Sequence, residues 1–178
     1  MNRRPFVFLD RDGTLLHDPG YLHRIEDYAL LPGVAAGLAE LQSAGRALAI
    51  VTNQSGLGRG YYAPADYEAL QAKLISDLET RGVRIEATYF CPHLPDARCN
   101  CRKPATGMLQ RAERELGADL ARSWVIGDAA TDAELALAAG CRAVCVRTGK
   151  PISPEELPPG VALTDDLRQA ARQILRSR

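Results

Sequence analysis

Phe6-Val7-Phe8-Leu9-Asp10-Arg11-Asp12-Gly13-Thr14 couples four consecutive apolar residues to a tight polar turn. An uninterrupted apolar run of that length suits a strand buried on both faces, as in a parallel sheet covered by helices. Four further runs have the same character: Ala47 to Val51, Thr88 to Phe90, Trp124 to Ile126 and Ala143 to Val146. Between them lie segments of helical period that stop at a glycine: Val34 to Ala44 before Gly45, Ala65 to Arg81 before Gly82, Thr106 to Leu116 before Gly117, and Thr131 to Ala139 before Gly140. Glycine just past a last turn takes the left-handed conformation without a Cβ penalty and so ends a helix. A last amphipathic segment, Asp165 to Arg176, follows a Pro-rich connector from Pro151 to Gly160. The alternation predicts an α/β fold, a three-layer α/β/α sandwich around a mainly parallel sheet. The 178 residues are expected to form one domain spanning 1–178.

In open α/β sheets ligands sit at the carboxyl ends of the strands, so the residues after each run are the ones to inspect. They are Asp10 to Thr14, then Thr52-Asn53-Gln54-Ser55-Gly56, then Arg102-Lys103-Pro104, then Gly127-Asp128. Asp10 and Asp12 are two apart, so in a near-extended chain their side chains point the same way. One carboxylate can attack phosphorus; its neighbour can protonate the departing alkoxide and later deprotonate water. Two carboxylates facing a phosphate dianion need a hard cation between them, and Mg²⁺ held by Asp10, Asp12 and Asp128 meets that need. Thr52 can donate its hydroxyl to a phosphoryl oxygen and Lys103 can offset developing charge. An Asp-x-Asp pair alone is a solvated turn; the recurrence of such groups after four separate buried runs is what gives it chemical meaning. Asp132, one helical turn beyond Asp128, is open to two readings, a support for Lys103 or the metal, or a plain helix-face carboxylate.

Cys91, His93, Cys99 and Cys101 crowd into eleven residues. Three thiolates and an imidazole are the ligand set of a tetrahedral structural Zn²⁺ site with no open position. Arg102 and Lys103 follow its last ligand directly, so folding the loop 91–101 would place the lysine. The remaining thiols, Cys141 and Cys145, read as small core residues in or beside the last strand. His17 and His23 could touch substrate from the loop after Asp10, but read first as surface residues.

Lys plus Arg and Asp plus Glu number 22 each, giving zero net charge and a pI of about 6.8. No global basic excess exists to hold nucleic acid, and an anion must be caught locally. No apolar stretch approaches the ~20 residues that span a bilayer. Met1-Asn2-Arg3-Arg4-Pro5 leads into an apolar run shorter than the roughly 7–15-residue core of a signal peptide, so a cytoplasmic protein is expected, with no membrane partner and as a monomer. With 3 lysines against 19 arginines, Lys73, Lys103 and Lys150 each merit inspection.

The ordered set Asp10-Arg11-Asp12-Gly13-Thr14, Thr52, Lys103 and Asp128 resembles the four motifs of the haloacid dehalogenase-like phosphatases, and the likeness covers nearly the whole chain. The resemblance implies a Rossmann-like core, Asp10 as a nucleophile that becomes an aspartyl-phosphate, Asp12 as general acid and base, Thr52 and Lys103 as phosphoryl-binding groups, and Asp128 as a Mg²⁺ ligand. The intervals from Asp10 to Thr52 and from Asn53 to Lys103 leave no room for a cap domain, so loops must select the substrate. Asp18-Pro19-Gly20-Tyr21-Leu22-His23, Thr52 to Gly60, Lys103 to Leu109 and Val146 to Pro151 are similar to members that remove the 7-phosphate of heptose 1,7-bisphosphate in heptose nucleotide or lipopolysaccharide-core synthesis, and Arg102 beside Lys103 adds a guanidinium suited to a polyol or second phosphate. A small phosphorylated sugar is therefore the expected substrate, with Asp18, Gly20, Tyr21, Asn53, Gln54, Ser55 and Arg102 as its contacts. The short loop Cys91-Pro92-His93-Leu94-Pro95 and Gly127-Asp128-Ala129-Ala130-Thr131-Asp132 look more like members acting on histidinol phosphate, the alternative. Ala129 stands where some heptose enzymes carry a lysine. An alternative of another class is a catalytically silent zinc-loop binding module, against which the intact Asp10, Asp12, Lys103 and Asp128 speak.

Overall fold

A computed structural model describes residues 3–177; Met1, Asn2 and Arg178 lie outside it. Strand β1 (Phe6–Leu9) is followed by helix α1 (Val34–Ser43), β2 (Ala47–Asn53), a one-turn helix α2 (Ser55–Gly58), α3 (Pro64–Thr80) and β3 (Ala87–Cys91). Helix α4 (Gly107–Leu116), β4 (Trp124–Gly127), α5 (Ala130–Ala138), β5 (Arg142–Val146), β6 (Ala162–Thr164) and α6 (Leu167–Arg176) complete the order. The strands form one parallel sheet ordered β3-β2-β1-β4-β5-β6.

Strand alternation sorts the apolar runs to two faces. Val7, Leu9, Ile50, Ile126 and Val144 pack with Leu38 of α1, Leu74 of α3 and Ile174 of α6. Phe6, Phe8, Val51, Val125 and Cys145 pack with Leu109 of α4 and Ala133 of α5. All four side chains of β1 are fully buried, which at about 1.5–3 kcal/mol each makes this strand the spine of both layers. Ser123 ties it to its neighbour: its Oγ accepts from the Phe6 N–H at 2.9 Å and donates to the Asp119 carbonyl at 2.6 Å.

From β1 the chain winds outward through β2 and β3, then returns to β4 on the other side and winds outward through β5 and β6. The reversal leaves a crevice beyond the carboxyl ends of β1 and β4, the switch point at which such sheets bind ligands. Five strands were expected and six are present among the described residues. The sixth, β6, is a three-residue, half-buried edge strand beyond the Pro-rich connector, too short to show any period. Cys141 therefore precedes, and Cys145 lies within, the next-to-last strand, both buried. Helix α6 begins two residues later than expected because Asp166 serves as its cap, accepting from the Gln169 N–H at 2.8 Å. Among the described residues no helix is long and apolar enough to cross a membrane.

Candidate active site

Asp10 leaves β1 still in register with β4, its N–H donating to the Ile126 carbonyl at 2.9 Å. Its carboxylate pairs with the Lys103 ammonium at 2.7 Å, and that ammonium also donates to Asp132 at 2.7 Å and to the Val51 carbonyl at 3.2 Å. All three ammonium protons are thus used inside the protein. Asp132 stands in the first turn of α5, where it also accepts from the Ala129 N–H at 3.2 Å. Of the two sequence readings of Asp132, the support for Lys103 is the one the fold contains. Burial alone would lower the Lys103 ammonium, but Asp10 and Asp132 more than reverse this and raise it.

Asp128 directly follows β4 and accepts from the Lys150 N–H at 2.8 Å. Oxygens of Asp10, Asp128 and Asp132 lie within 4.8 Å of one another. Burial, with the nearby Asp10, pushes Asp128 up to about 7; burial likewise pushes Asp132 up to about 6, against the pull of Lys103. Three buried carboxylates against one ammonium leave excess negative charge, and this hard-oxygen donor set fits a small divalent cation. The turn after Asp10 has to be glycine: Gly13 has φ of 83°, and a Cβ there would lie 2.5 Å from an Asp128 oxygen.

The Asp12 carboxylate is not a member of that cluster. Arg11 grips it with two donors, Nε at 2.8 Å and a terminal nitrogen at 3.0 Å, and the Gln54 amide donates to it at 2.8 Å. Burial raises its carboxyl, opposed by the Arg11 charge. The Asp12 carboxylate oxygens are engaged by three donors outside the Asp10–Asp128–Asp132 cluster. Asp12 nevertheless lines the same cleft, of about 430 Å³, as Asp10, Thr52, Lys103 and Asp128.

Asp18, Gly20, Tyr21, Asn53, Gln54, Ser55 and Arg102 also line that cleft, so the structure gathers every sequence-selected candidate of this set. Their side chains are differently occupied. Asp18 accepts from the Gly20 N–H at 2.9 Å and so shapes its own turn. Asn53 brackets the Lys103 peptide, accepting from its N–H at 3.0 Å and donating to its carbonyl at 3.4 Å. Gln54 is wholly engaged by protein groups. The amides of Asn53 and Gln54 thus position other residues. Tyr21 is 45% exposed with φ of 52°, and stands edge-on to Tyr61 at 4.8 Å with Arg59 over its ring at 6.0 Å. Arg59, Tyr62 and Thr131 are cleft residues that the sequence reading did not select. Lys150, which the sequence marks as one of only three lysines, also lines the cleft, from the loop after β5. His23 is half-buried rather than superficial, stacked on Tyr62 at 5.0 Å, while His17 is exposed.

Cys91 at the end of β3 meets His93, Cys99 and Cys101 in the following loop. Sulfur separations are 3.6 Å for Cys91–Cys99 and for Cys99–Cys101, and the His93 Nδ1 lies 3.5 Å from Cys91 and 3.3 Å from Cys101. These are too long for a disulfide. A tetrahedron with ligand distances of about 2.3 Å to sulfur and about 2.0 Å to nitrogen has edges of roughly 3.5–3.8 Å, so the four atoms are spaced as Zn²⁺ would hold them. At Cys99 the penalty of burial is outweighed by the Arg102 and Cys101 N–H groups, which draw the thiol down to about 6.

A HAD-hydrolase-like family model matches residues 100–170. The chain is 43% identical over 159 residues to D-glycero-beta-D-manno-heptose-1,7-bisphosphate 7-phosphatase of Yersinia pestis, covering 85% of each chain. It is 38% identical to the enzyme of that name from Pseudomonas aeruginosa, covering 97% of this chain and 98% of the other. Among solved structures it is similar to D,D-heptose 1,7-bisphosphate phosphatase from B. bronchiseptica complexed with magnesium and phosphate, at a TM-score of 0.88, 33% identity and coverage of 98% and 99%.

Proposed function

The chain belongs to the HAD-like hydrolases, among the heptose 1,7-bisphosphate 7-phosphatases, and from that membership we propose that it hydrolyses the 7-phosphate of D-glycero-beta-D-manno-heptose 1,7-bisphosphate through an aspartyl-phosphate on Asp10. It is a phosphatase, and the relatives favour a heptose over histidinol phosphate. The observation that carries the mechanism is the meeting of Asp10, Lys103 and Asp128 with Asp12 and Thr52 around one cleft at the β1–β4 switch point.

Asp10 attacks phosphorus while the C7 alkoxide leaves with the proton of Asp12. Asp12 then takes a proton from water as that water attacks the same phosphorus, freeing inorganic phosphate and Asp10. Thr52 donates to a phosphoryl oxygen. Lys103, its protons engaged by Asp10, Asp132 and Val51, acts as a fixed point charge beside the reacting atoms. Asp10 and Asp128 would hold Mg²⁺, which supplies Lewis-acid charge neutralisation when bound. Cys91, His93, Cys99 and Cys101 would hold a structural Zn²⁺ that fixes the loop leading into Arg102 and Lys103. Arg102, with Asp18, Gly20, Tyr21 and Ser55, faces the sugar and its remaining phosphate at the entrance.

Phosphate release with Mg²⁺ should favour the β-anomer of heptose 1,7-bisphosphate over the α-anomer and over histidinol phosphate by at least about tenfold in kcat/KM. Preference for histidinol phosphate would overturn the substrate; no turnover of any of them would revive the silent-module alternative.

A further inference from the structure

Gln54 has no hydrogen-bonding capacity left for a ligand. Its Nε2 donates to Asp12 at 2.8 Å and to the Thr52 hydroxyl oxygen at 2.9 Å; its Oε1 accepts from Arg11 at 3.1 Å and from the Tyr62 hydroxyl at 2.6 Å. Two donors and two acceptor sites are the whole inventory of an amide. Which end faces which neighbour is decided by the neighbours. A guanidinium offers no acceptor, so the side facing Arg11 must be the oxygen, and the nitrogen must face Asp12 and Thr52. Arg11 cannot turn away to relax this choice: it is 0% exposed, lies 5.3 Å from the Tyr67 ring, and also donates to the Leu22 carbonyl at 3.2 Å.

A consequence follows at Thr52. Because its oxygen accepts from Gln54, its own proton is barred from that direction and is left for an acceptor in the cleft, where the phosphoryl group is bound in the reading above. We infer that Gln54 is a positioning residue whose amide, oriented by the buried Arg11, sets the donor direction of the Thr52 hydroxyl while tying it to the Asp12 carboxylate. This inference rests on the proposed roles of Thr52 and Asp12. It removes Gln54 from the substrate contacts and gives the central arginine of Asp10-Arg11-Asp12 a second task beside its direct grip on Asp12, that of orienting the Gln54 amide.

The test is a pair of double-mutant cycles on kcat with the heptose bisphosphate, each variant checked by thermal melting. Gln54→Glu keeps the acceptor toward Arg11 and Tyr62 but presents a carboxylate oxygen to Thr52, so the hydroxyl proton turns to Glu and is lost to the phosphoryl group. Gln54→Met presents neither donor nor acceptor and leaves that proton free. Thr52→Val alone should lower kcat roughly 10- to 100-fold, as expected for a hydrogen bond to a charged group. In the Gln54→Glu background the same change should cost less than about twofold, whereas in the Gln54→Met background it should cost nearly its full amount. Equal costs of Thr52→Val in both backgrounds would overturn the orienting role while leaving the phosphatase reading intact. A Thr52→Val enzyme with unaltered kcat would overturn both this inference and the proposed phosphoryl contact of Thr52. A variant that melts far below the parent is compared through Thr52→Ser in the same background, which restores the hydroxyl and should restore kcat only with Gln54 or with Gln54→Met.

Discussion

Lys103 sits between two buried carboxylates at 2.7 Å each, and its position depends on Asn53 holding its peptide from both sides. Removing one partner from a buried ion pair leaves uncompensated charge, at a cost of about 3–5 kcal/mol. Lys103→Met should therefore lose about that much in urea unfolding without divalent metal, regain part of it when Mg²⁺ is added, and lose turnover. An unchanged unfolding midpoint would contradict the pairing. Gly13→Ala should be harmful for a separate reason, a left-handed backbone and a Cβ running into Asp128, and should lower kcat at least about tenfold while leaving the fold intact by circular dichroism. The residues that end each strand were legible in the sequence because strand ends are where an α/β sheet displays chemistry. The tasks of Arg11, Asn53 and Gln54 were not. A charged side chain between two aspartates reads as solvated, and amides following a strand read as ligand contacts, until the partners that saturate them are seen in three dimensions.

The loop between β3 and α4 is an element with little apolar content of its own, and the proposed zinc held by Cys91, His93, Cys99 and Cys101 would fix it. Stripping zinc by chelation and then restoring Mg²⁺ in excess should lower kcat at least about tenfold, because Arg102 and Lys103 follow the last ligand, and added Zn²⁺ should recover it. The two metals are thereby separated in one experiment; full activity of zinc-free, Mg²⁺-loaded protein would contradict the role of the loop. Thiol titration gives an independent measure. Cys141 and Cys145 are buried and their thiols are pushed up to about 12 by burial, so the native protein should expose neither at neutral pH, and after zinc removal Cys99 and Cys101 should react first, ahead of the buried Cys91. This loop was readable from spacing alone because ligand chemistry, unlike packing, is carried by residue type. Strand β6 was not readable, since three residues contain less than two periods of alternation and owe their pairing to β5. The helices were placed to within two residues by their glycine stops, and the one-turn α2 was hidden inside a motif whose residues read as a loop.

Across the whole molecule, zero net charge is combined with a cleft that gathers Arg59, Arg102, Lys103 and Lys150 around its aspartates. Attraction of a bisphosphate is then local, and kcat/KM should change less than about threefold between low and physiological ionic strength. Of the large exposed apolar side chains, Tyr21 and Tyr61 pack edge-on against each other at the cleft entrance while Phe90, Leu137 and Leu175 belong to β3, α5 and α6, and light scattering should report a monomer. The sheet order brings Asp10 and Asp128 together from positions far apart in sequence, and only the reversal between β1 and β4 makes them neighbours. On the proposed mechanism Asp10 is the nucleophile of that convergence, and the most direct measurement is chemical trapping during turnover. Enzyme mixed with heptose 1,7-bisphosphate and Mg²⁺, acid-quenched and reduced with borohydride, should contain homoserine at position 10, the product expected from an aspartyl-phosphate at that residue. Homoserine at Asp12 or Asp128 instead, or none while phosphate is being released in a pre-steady-state burst, would contradict the account.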